Sequence, residues 1–293
     1  MLLQLNRCAL YRLSRLLGIF AAGILLAAEA NAAPAPATGS IPHAQVALVS
    51  EDVAAPAQGD FWLGLHFTLE PGWHIYWTNP GDSGEAPKVI WHLPQGVSAG
   101  AIDWPVPARL PTSGLMDFGY TGAVTLLVPM HASAGLKPGT PAAFGADLKV
   151  FICRELCIAG QTQLSLSVPV ETGSAPQASP ATKALFAAAR GRLPEPAPKN
   201  WITHVTEGKT GFVLNVATGK PASSASFFPL DQDQIDNAAP QPVQATAKGF
   251  QMQLRKSDAL TKPVSELRGV LVIGGKGYTL DAPVSAVPSK SKS

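Results

Sequence analysis

The chain has 293 residues, with 22 Lys+Arg against 20 Asp+Glu, three cysteines and 46% hydrophobic residues. That length suits one large domain or two ordinary ones. Loss of an N-terminal leader with Arg7, Arg12, Arg15 and Glu29 would leave 19 charges of each sign. A neutral chain without a basic patch argues against nucleic acid or an anionic membrane surface as partner.

The leader is legible at the start. The three arginines precede an apolar run from Leu16 to Ala28, followed by small residues. A basic start, a short apolar stretch and an A-x-A end describe a secretory signal peptide. The run is too short for the roughly 20 residues of a spanning helix. Cleavage is expected after Ala32, with Ala30 as the competing position, so residues 1–32 form the leader and the mature chain is expected to be soluble in the periplasm. Cys8 leaves with the leader, and one pair of cysteines remains in an oxidising setting.

After a Pro/Ala lead-in at residues 33–40, a period of two dominates. In "FWLGLHFTLE", Phe61, Leu63, Leu65, Phe67 and Leu69 alternate with polar, small or aromatic neighbours, which predicts a half-buried strand. Leu164, Leu166, Val168 and Val170 repeat the pattern. Turn clusters such as "EPGW", "NPGDSGEAP" and "KPGT" separate these runs, and short strands between Gly/Pro turns predict an all-β sandwich or barrel. "GDSG" (81–84) has the letters of a protease nucleophile loop, but without a histidine-bearing companion motif it reads as a turn. Nor is there a phosphate-cradling glycine loop.

Composition changes at residues 173–199, which are rich in Ala and Pro and read as a linker. A helix is predicted within it at Pro180–Arg190, capped by Ser179 with Pro180 in its first position. The β pattern then returns: Phe250, Met252 and Leu254 alternate, and "GVLVIGGKGYTLDAPV" reads as two strands joined at Gly274–Gly277. Residues 200–286 are thus expected to form a second β domain, with one histidine, His204, and no evident chemistry. Residues 287–293 form a tail.

The chemistry of the first domain rests on "VFICRELCIAGQ", in which Arg154, Glu155 and Leu156 separate Cys153 from Cys157. As a staple the pair would be weak: closing a five-residue loop contributes about 2 kcal/mol, against about 4.7 for a 100-residue loop. As a zinc site it lacks partners, since structural zinc takes four ligands. None of His43, His66, His74, His92, His131 and His204 lies at close ligand spacing. Copper(I) is less demanding, and two thiolates with one further soft ligand would hold it. As a redox pair, a short accessible bridge exchanges readily with another thiol pair. Arg154 would favour a thiolate nearby, while Glu155 and Asp117 would oppose it.

Three stretches resemble a known family when taken together: "PGWHIYWTNPGDSG" (71–84), "MDFGYTGAVTLLVPM" (116–130) and "VFICRELCIAGQTQLSLSVPV" (150–170). They are similar in order and spacing to the periplasmic N-terminal module of the DsbD/ScsB thiol-disulfide reductases, across residues 41–172. "SFFPLDQDQIDNAAPQ" (226–241) and "LRGVLVIGGKGYTLDAPV" resemble the region that follows in the ScsB-like branch, whose cysteine spacing this chain also shares.

The resemblance implies two immunoglobulin-like β-sandwich domains and a reversible Cys153–Cys157 disulfide on a β-hairpin, with no cofactor. Electrons would arrive from a membrane-linked thioredoxin-like donor and pass to periplasmic client disulfides. The chain shows neither the membrane nor the thioredoxin-like domain of that family, so donors would be separate proteins. A module adapted to copper tolerance through the same thiols, or a non-catalytic interaction module, are the competing expectations. By the same resemblance Phe118 would shield the cysteines from a cap loop, Asp117 would modulate them, and Tyr120, Tyr76 and His74 would line the site. Phe118 and Tyr120 read equally as core residues, and His74 as an ordinary surface histidine.

Overall fold

A computed structural model describes residues 35–133, 135–172 and 178–286. The expected leader and tail lie outside them. Among the described residues no helix is long and apolar enough to cross a membrane.

Alternating apolar residues build two facing antiparallel sheets. The first has five strands in the spatial order Ala37–Ile41, Ala44–Ser50, Gly59–Leu69, Ala123–Ala132 and Val97–Ala99. The second runs Cys157–Val168, Ala142–Cys153, His74–Gly81, Leu115–Thr121 and Ala108–Thr112, with Lys88–His92 also paired to Ala142–Cys153. Phe61, Leu63, Leu65, Phe67 and Leu69 are all buried, as are Leu164, Leu166, Val168 and Val170. They meet in one core between the sheets, the arrangement of an immunoglobulin-like sandwich.

The helix Pro180–Arg190 forms where its signals predict, with Ser179 Oγ accepting from the backbone N–H of Thr182. It is not part of a loose connection. Phe186 is fully buried against Val49 and Leu127, on the outer face of the first sheet. Gly64 leaves room for it: a Cβ there would lie 3.2 Å from the Phe186 ring. Arg190 pairs with Glu51. The expected linker is therefore in part a packed element, because Phe186 and Ala189 share one helix face.

The second lobe is an eight-stranded sheet in which seven strands run in the order Ser226–Pro229, Glu266–Ile273, Lys276–Ala286, Ile202–Glu207, Gly211–Ala217, Gly249–Arg255 and Val243–Thr246, and the eighth, Glu195–Pro196, pairs with Lys276–Ala286. Its core gathers Phe212, Leu214, Phe250, Met252, Leu254, Leu267 and Leu271. Gly274 and Gly275, both at positive φ, make the two-residue turn of its last hairpin.

This second lobe does not stand apart. The described residues fall in one compact unit, and Phe228 and Val270 of the second lobe belong to the core of the first. The Phe228 ring packs edge-on against Trp77 and Phe118, with centroids 6.3 and 5.2 Å away. Asn79 Nδ2 donates to the Pro229 carbonyl at 2.8 Å, Arg109 Nη2 to the Asn237 carbonyl at 2.5 Å, and Asn237 Nδ2 to Asp82 Oδ1 at 2.8 Å.

Candidate functional site

Cys153 ends one strand and Cys157 begins the next, and the two face each other at the tip of an antiparallel hairpin. Arg154, Glu155 and Leu156 make the turn, closed by the Arg154 N–H donating to the Leu156 carbonyl. The cysteines are bonded, with Cα atoms 4.1 Å apart. Their surroundings differ sharply. Cys153 is 2% exposed, whereas Cys157 lies in the open beside Leu156, whose side chain is 78% exposed.

The buried side of the pair is set by strand pairing. Cys153 sits directly opposite His74, and His74 and Tyr76 lie opposite Thr121 and Gly119. Residues opposite each other share a face of the sheet, and alternate residues along a strand return to it. Cys153, His74, Tyr76, Gly119 and Thr121 thus share one face. After Tyr76 the register shifts, and pairing resumes at Gly81 opposite Asp117. That irregularity turns the "GDSG" loop back over the site, with Gly81 and Gly84 in the left-handed region.

A hydrogen-bond chain fills the space. Tyr76 Oη lies 3.2 Å from Cys157 Sγ and 3.2 Å from Ser83 Oγ. Ser83 Oγ donates to Asp117 Oδ1 at 2.8 Å, and the Ser83 N–H donates to the same oxygen at 3.1 Å. Burial pushes the Tyr76 hydroxyl pKa up, offset in part by the Ser83 bond and reinforced by the Asp117 charge. The Tyr76 ring is pinned: a Cβ on Gly84 would overlap it at 2.1 Å.

His74 is 4% exposed and packs edge-on against Tyr76. Its Nε2 lies 3.7 Å from Asp117 Oδ2, within ion-pair range but beyond a hydrogen bond, and makes no other polar contact. Arg154 turns away from the sulfurs. Its guanidinium lies 5.1 Å from the Trp73 ring centroid, while Trp73 stacks on His43 at 3.8 Å. Glu155 is exposed at the turn.

The structure therefore brings Cys153, Cys157, Tyr76, His74 and Asp117 together. It does not place Phe118 and Tyr120 with them, which corrects the expected shielding role. Both are fully buried in the sandwich core. Strand alternation is the reason: Asp117 and Gly119 face the site, so Phe118 and Tyr120 face inward. The group laid against the Cys157 sulfur is the Tyr76 hydroxyl.

Ser83 joins the site although "GDSG" reads as turn chemistry in the sequence. Its signal lay in the two flanking glycines, which allow the loop to fold back on Tyr76. Asp82, Asn237 and Phe228 carry no signal of their own in the sequence. Among the described residues no group of three or more His, Cys, Asp or Glu side chains gathers as a metal set.

Residues 45–169 match the family described as thiol:disulfide interchange protein DsbD, N-terminal. The crystal structure of the N-terminal periplasmic domain of ScsB from Proteus mirabilis superposes with a TM-score of 0.65 at 17% identity. That alignment covers 85% of this chain and 97% of that one, so the two share a fold. The periplasmic chaperone SfaE aligns over 82% of this chain and all of its own, at 8% identity and a TM-score of 0.22. The YadV chaperone covers 80% of this chain and 98% of its own, at 10% identity and a TM-score of 0.23. No curated protein matches the chain.

Proposed function

We propose, from the premise that residues 45–169 form a DsbD N-terminal module, that this protein relays reducing equivalents by thiol-disulfide exchange at Cys153–Cys157. The observation that carries the reading is the asymmetry of the bonded pair: Cys157 is an exposed residue at a hairpin tip, whereas Cys153 is buried. Exchange proceeds by in-line attack of a thiolate on an accessible sulfur, so the exposed cysteine is where partners connect.

In the loading half-reaction a partner thiolate attacks Cys157 Sγ. The new bond joins partner and Cys157, the Cys153–Cys157 bond breaks, and Cys153 leaves as a thiolate that takes a proton from solvent. The partner's second thiol then attacks its own sulfur in the mixed disulfide and releases Cys157 as a thiolate. Two electrons have moved, the partner is a disulfide and this chain a dithiol. In the unloading half-reaction the Cys157 thiolate attacks a client disulfide, and Cys153 resolves the mixed disulfide to restore the bridge. The chemistry takes place between sulfur atoms alone. Thioredoxin-like donors and exported clients with disulfides are the matching partners. Leu156, apolar and exposed beside Cys157, offers them a contact. The second lobe serves as scaffold to the first.

A trapping experiment tests this. A thioredoxin with one cysteine, activated by a thionitrobenzoate leaving group, is mixed with reduced Cys153→Ser or Cys157→Ser protein. Cys153→Ser should form a disulfide-linked adduct at least about tenfold faster than Cys157→Ser, because the buried thiol is poorly accessible. Equal or absent adduct formation, with a pair potential below about −300 mV, would mark a structural bridge.

A further inference from the structure

We propose that Ser83 is a positioning residue that, with Asp117, aims the Tyr76 hydroxyl proton away from Cys157 and so holds that cysteine as a thiol instead of a thiolate. The inference deepens the exchange reading and takes its functional meaning from it.

The argument is a count of protons along the chain Asp117–Ser83–Tyr76–Cys157. An ionised carboxylate only accepts, while a serine or tyrosine hydroxyl has one hydrogen to donate. The single Ser83 hydroxyl hydrogen is committed to Asp117 Oδ1, at 2.8 Å. Ser83 Oγ can therefore meet Tyr76 only as an acceptor. Tyr76 Oη has two candidates for its own hydrogen, Ser83 Oγ and Cys157 Sγ, both 3.2 Å away. Both lie within reach, and oxygen accepts more strongly than thiol or disulfide sulfur. The Tyr76 proton points to Ser83.

Consequences follow for the reduced pair. A Cys157 thiol can donate its S–H to the free lone pair of Tyr76, and every group in the chain is then satisfied. A Cys157 thiolate finds no donor there unless Tyr76 swings its proton round and abandons Ser83. The chain thus stabilises the protonated sulfur, and the Asp117 charge acts in the same direction. The other charged or titratable groups around Tyr76 and the hairpin do not supply the missing donor. His74 meets the Tyr76 ring by its edge, Asp82 is engaged by the Met116 N–H and Asn237, Arg154 lies over Trp73, and Glu155 is anionic and exposed. Burial keeps Tyr76 itself protonated at neutral pH. The device suits an exposed thiol in an oxidising compartment: the nucleophile stays quiet in free solution.

The test is the proton affinity of Cys157, read from the ultraviolet absorbance of its thiolate and from its rate of alkylation by iodoacetamide. It is made on the full chain in a Cys8→Ser, Cys153→Ser background, which leaves one thiol. Ser83→Ala removes the oxygen that captures the Tyr76 proton and leaves the Ser83 backbone bond to Asp117. Its Cys157 titration should fall by about one pH unit, the scale of a hydrogen bond gained by a charged group. Alkylation at neutral pH should rise about threefold, since a tenfold gain in thiolate is partly offset by its weaker nucleophilicity. Ser83→Thr keeps the hydroxyl and should restore the parent values. Tyr76→Phe should lower the titration by less than Ser83→Ala does, since it removes only a weak S–H acceptor and supplies the thiolate with no donor, and adding Ser83→Ala to Tyr76→Phe should produce no further fall. A merely structural role for Ser83 predicts instead that loosening the loop has the same effect with or without the Tyr76 hydroxyl. An unshifted titration in Ser83→Ala, or the same Ser83→Ala shift when it is made in the Tyr76→Phe background, overturns the proposal. Neither outcome bears on exchange itself, because no partner is present in the assay.

Discussion

Tyr120 shows how one side chain decides which face of a strand is inside. Its ring is buried in the sandwich core and its hydroxyl donates to the Pro105 carbonyl at 2.7 Å. Burial drives its pKa well above the ordinary tyrosine value. A folded-state pKa raised in this way contributes stability that is complete below the unfolded value of about 10 and is lost as pH rises past it. Tyr120→Phe should therefore cost about 1 kcal/mol in urea unfolding at neutral pH, the net value of one hydrogen bond. It should also flatten the alkaline decline of stability above about pH 10; an unchanged alkaline limb would assign that decline to other groups.

At the scale of elements, what the sequence disclosed was period and punctuation. The strand Gly59–Leu69 and the helix Pro180–Arg190 were legible because their apolar spacing and cap residues are local properties. The site was half legible. The family resemblance implies a hairpin for Cys153 and Cys157, and "GWHIYW" puts His74 and Tyr76 on one strand. The register shift between Tyr76 and Gly81 was not legible, since it depends on the partner strand Leu115–Thr121. Without that register, Asp117 and Phe118 could not be assigned to opposite faces.

Gly119 tests the pairing directly. A Cβ there would lie 2.1 Å from the Ile75 carbonyl oxygen, a backbone atom with nowhere to go. Gly119→Ala should thus cost on the order of 3 kcal/mol, at the upper end for overpacking, measured by urea unfolding. A cost below about 1 kcal/mol would mean that the two strands can separate without penalty.

Across the whole molecule, the second lobe governs how the first presents its site. Phe228 packs on Trp77 and Phe118 in the core of the first lobe, and the Asn237 contact to Asp82 ties the second lobe to the loop that carries Ser83. This contact set was invisible in the sequence, because "SFFPLDQDQIDNAAPQ" has the composition of an ordinary strand and turn. Phe228→Ala should cost about 3–5 kcal/mol, the range for emptying a buried aromatic site. Calorimetry should show the single unfolding transition of the parent protein dividing into two. One cooperative transition in the variant would mean that the polar contacts alone join the lobes.

The parallel pairing of Ile202–Glu207 with the end of Lys276–Ala286 has a consequence for the order of assembly. One edge of the Ile202–Glu207 strand closes at once against Gly211–Ala217, but its other edge stays open until the distant neighbour has been synthesised, and non-local pairs of this kind form late. The hairpin of Glu266–Ile273 and Lys276–Ala286 also pairs with the Phe228 strand, so the lid over Trp77 and Phe118 is among the last pieces to arrive. A chain emerging N-terminus first would pass through an interval in which its cysteine hairpin can already form, while the apolar floor beneath the neighbouring loop is still open to water. In that interval the nascent chain would be a substrate for chaperones and for oxidation, before it could act on any thiol of its own choosing.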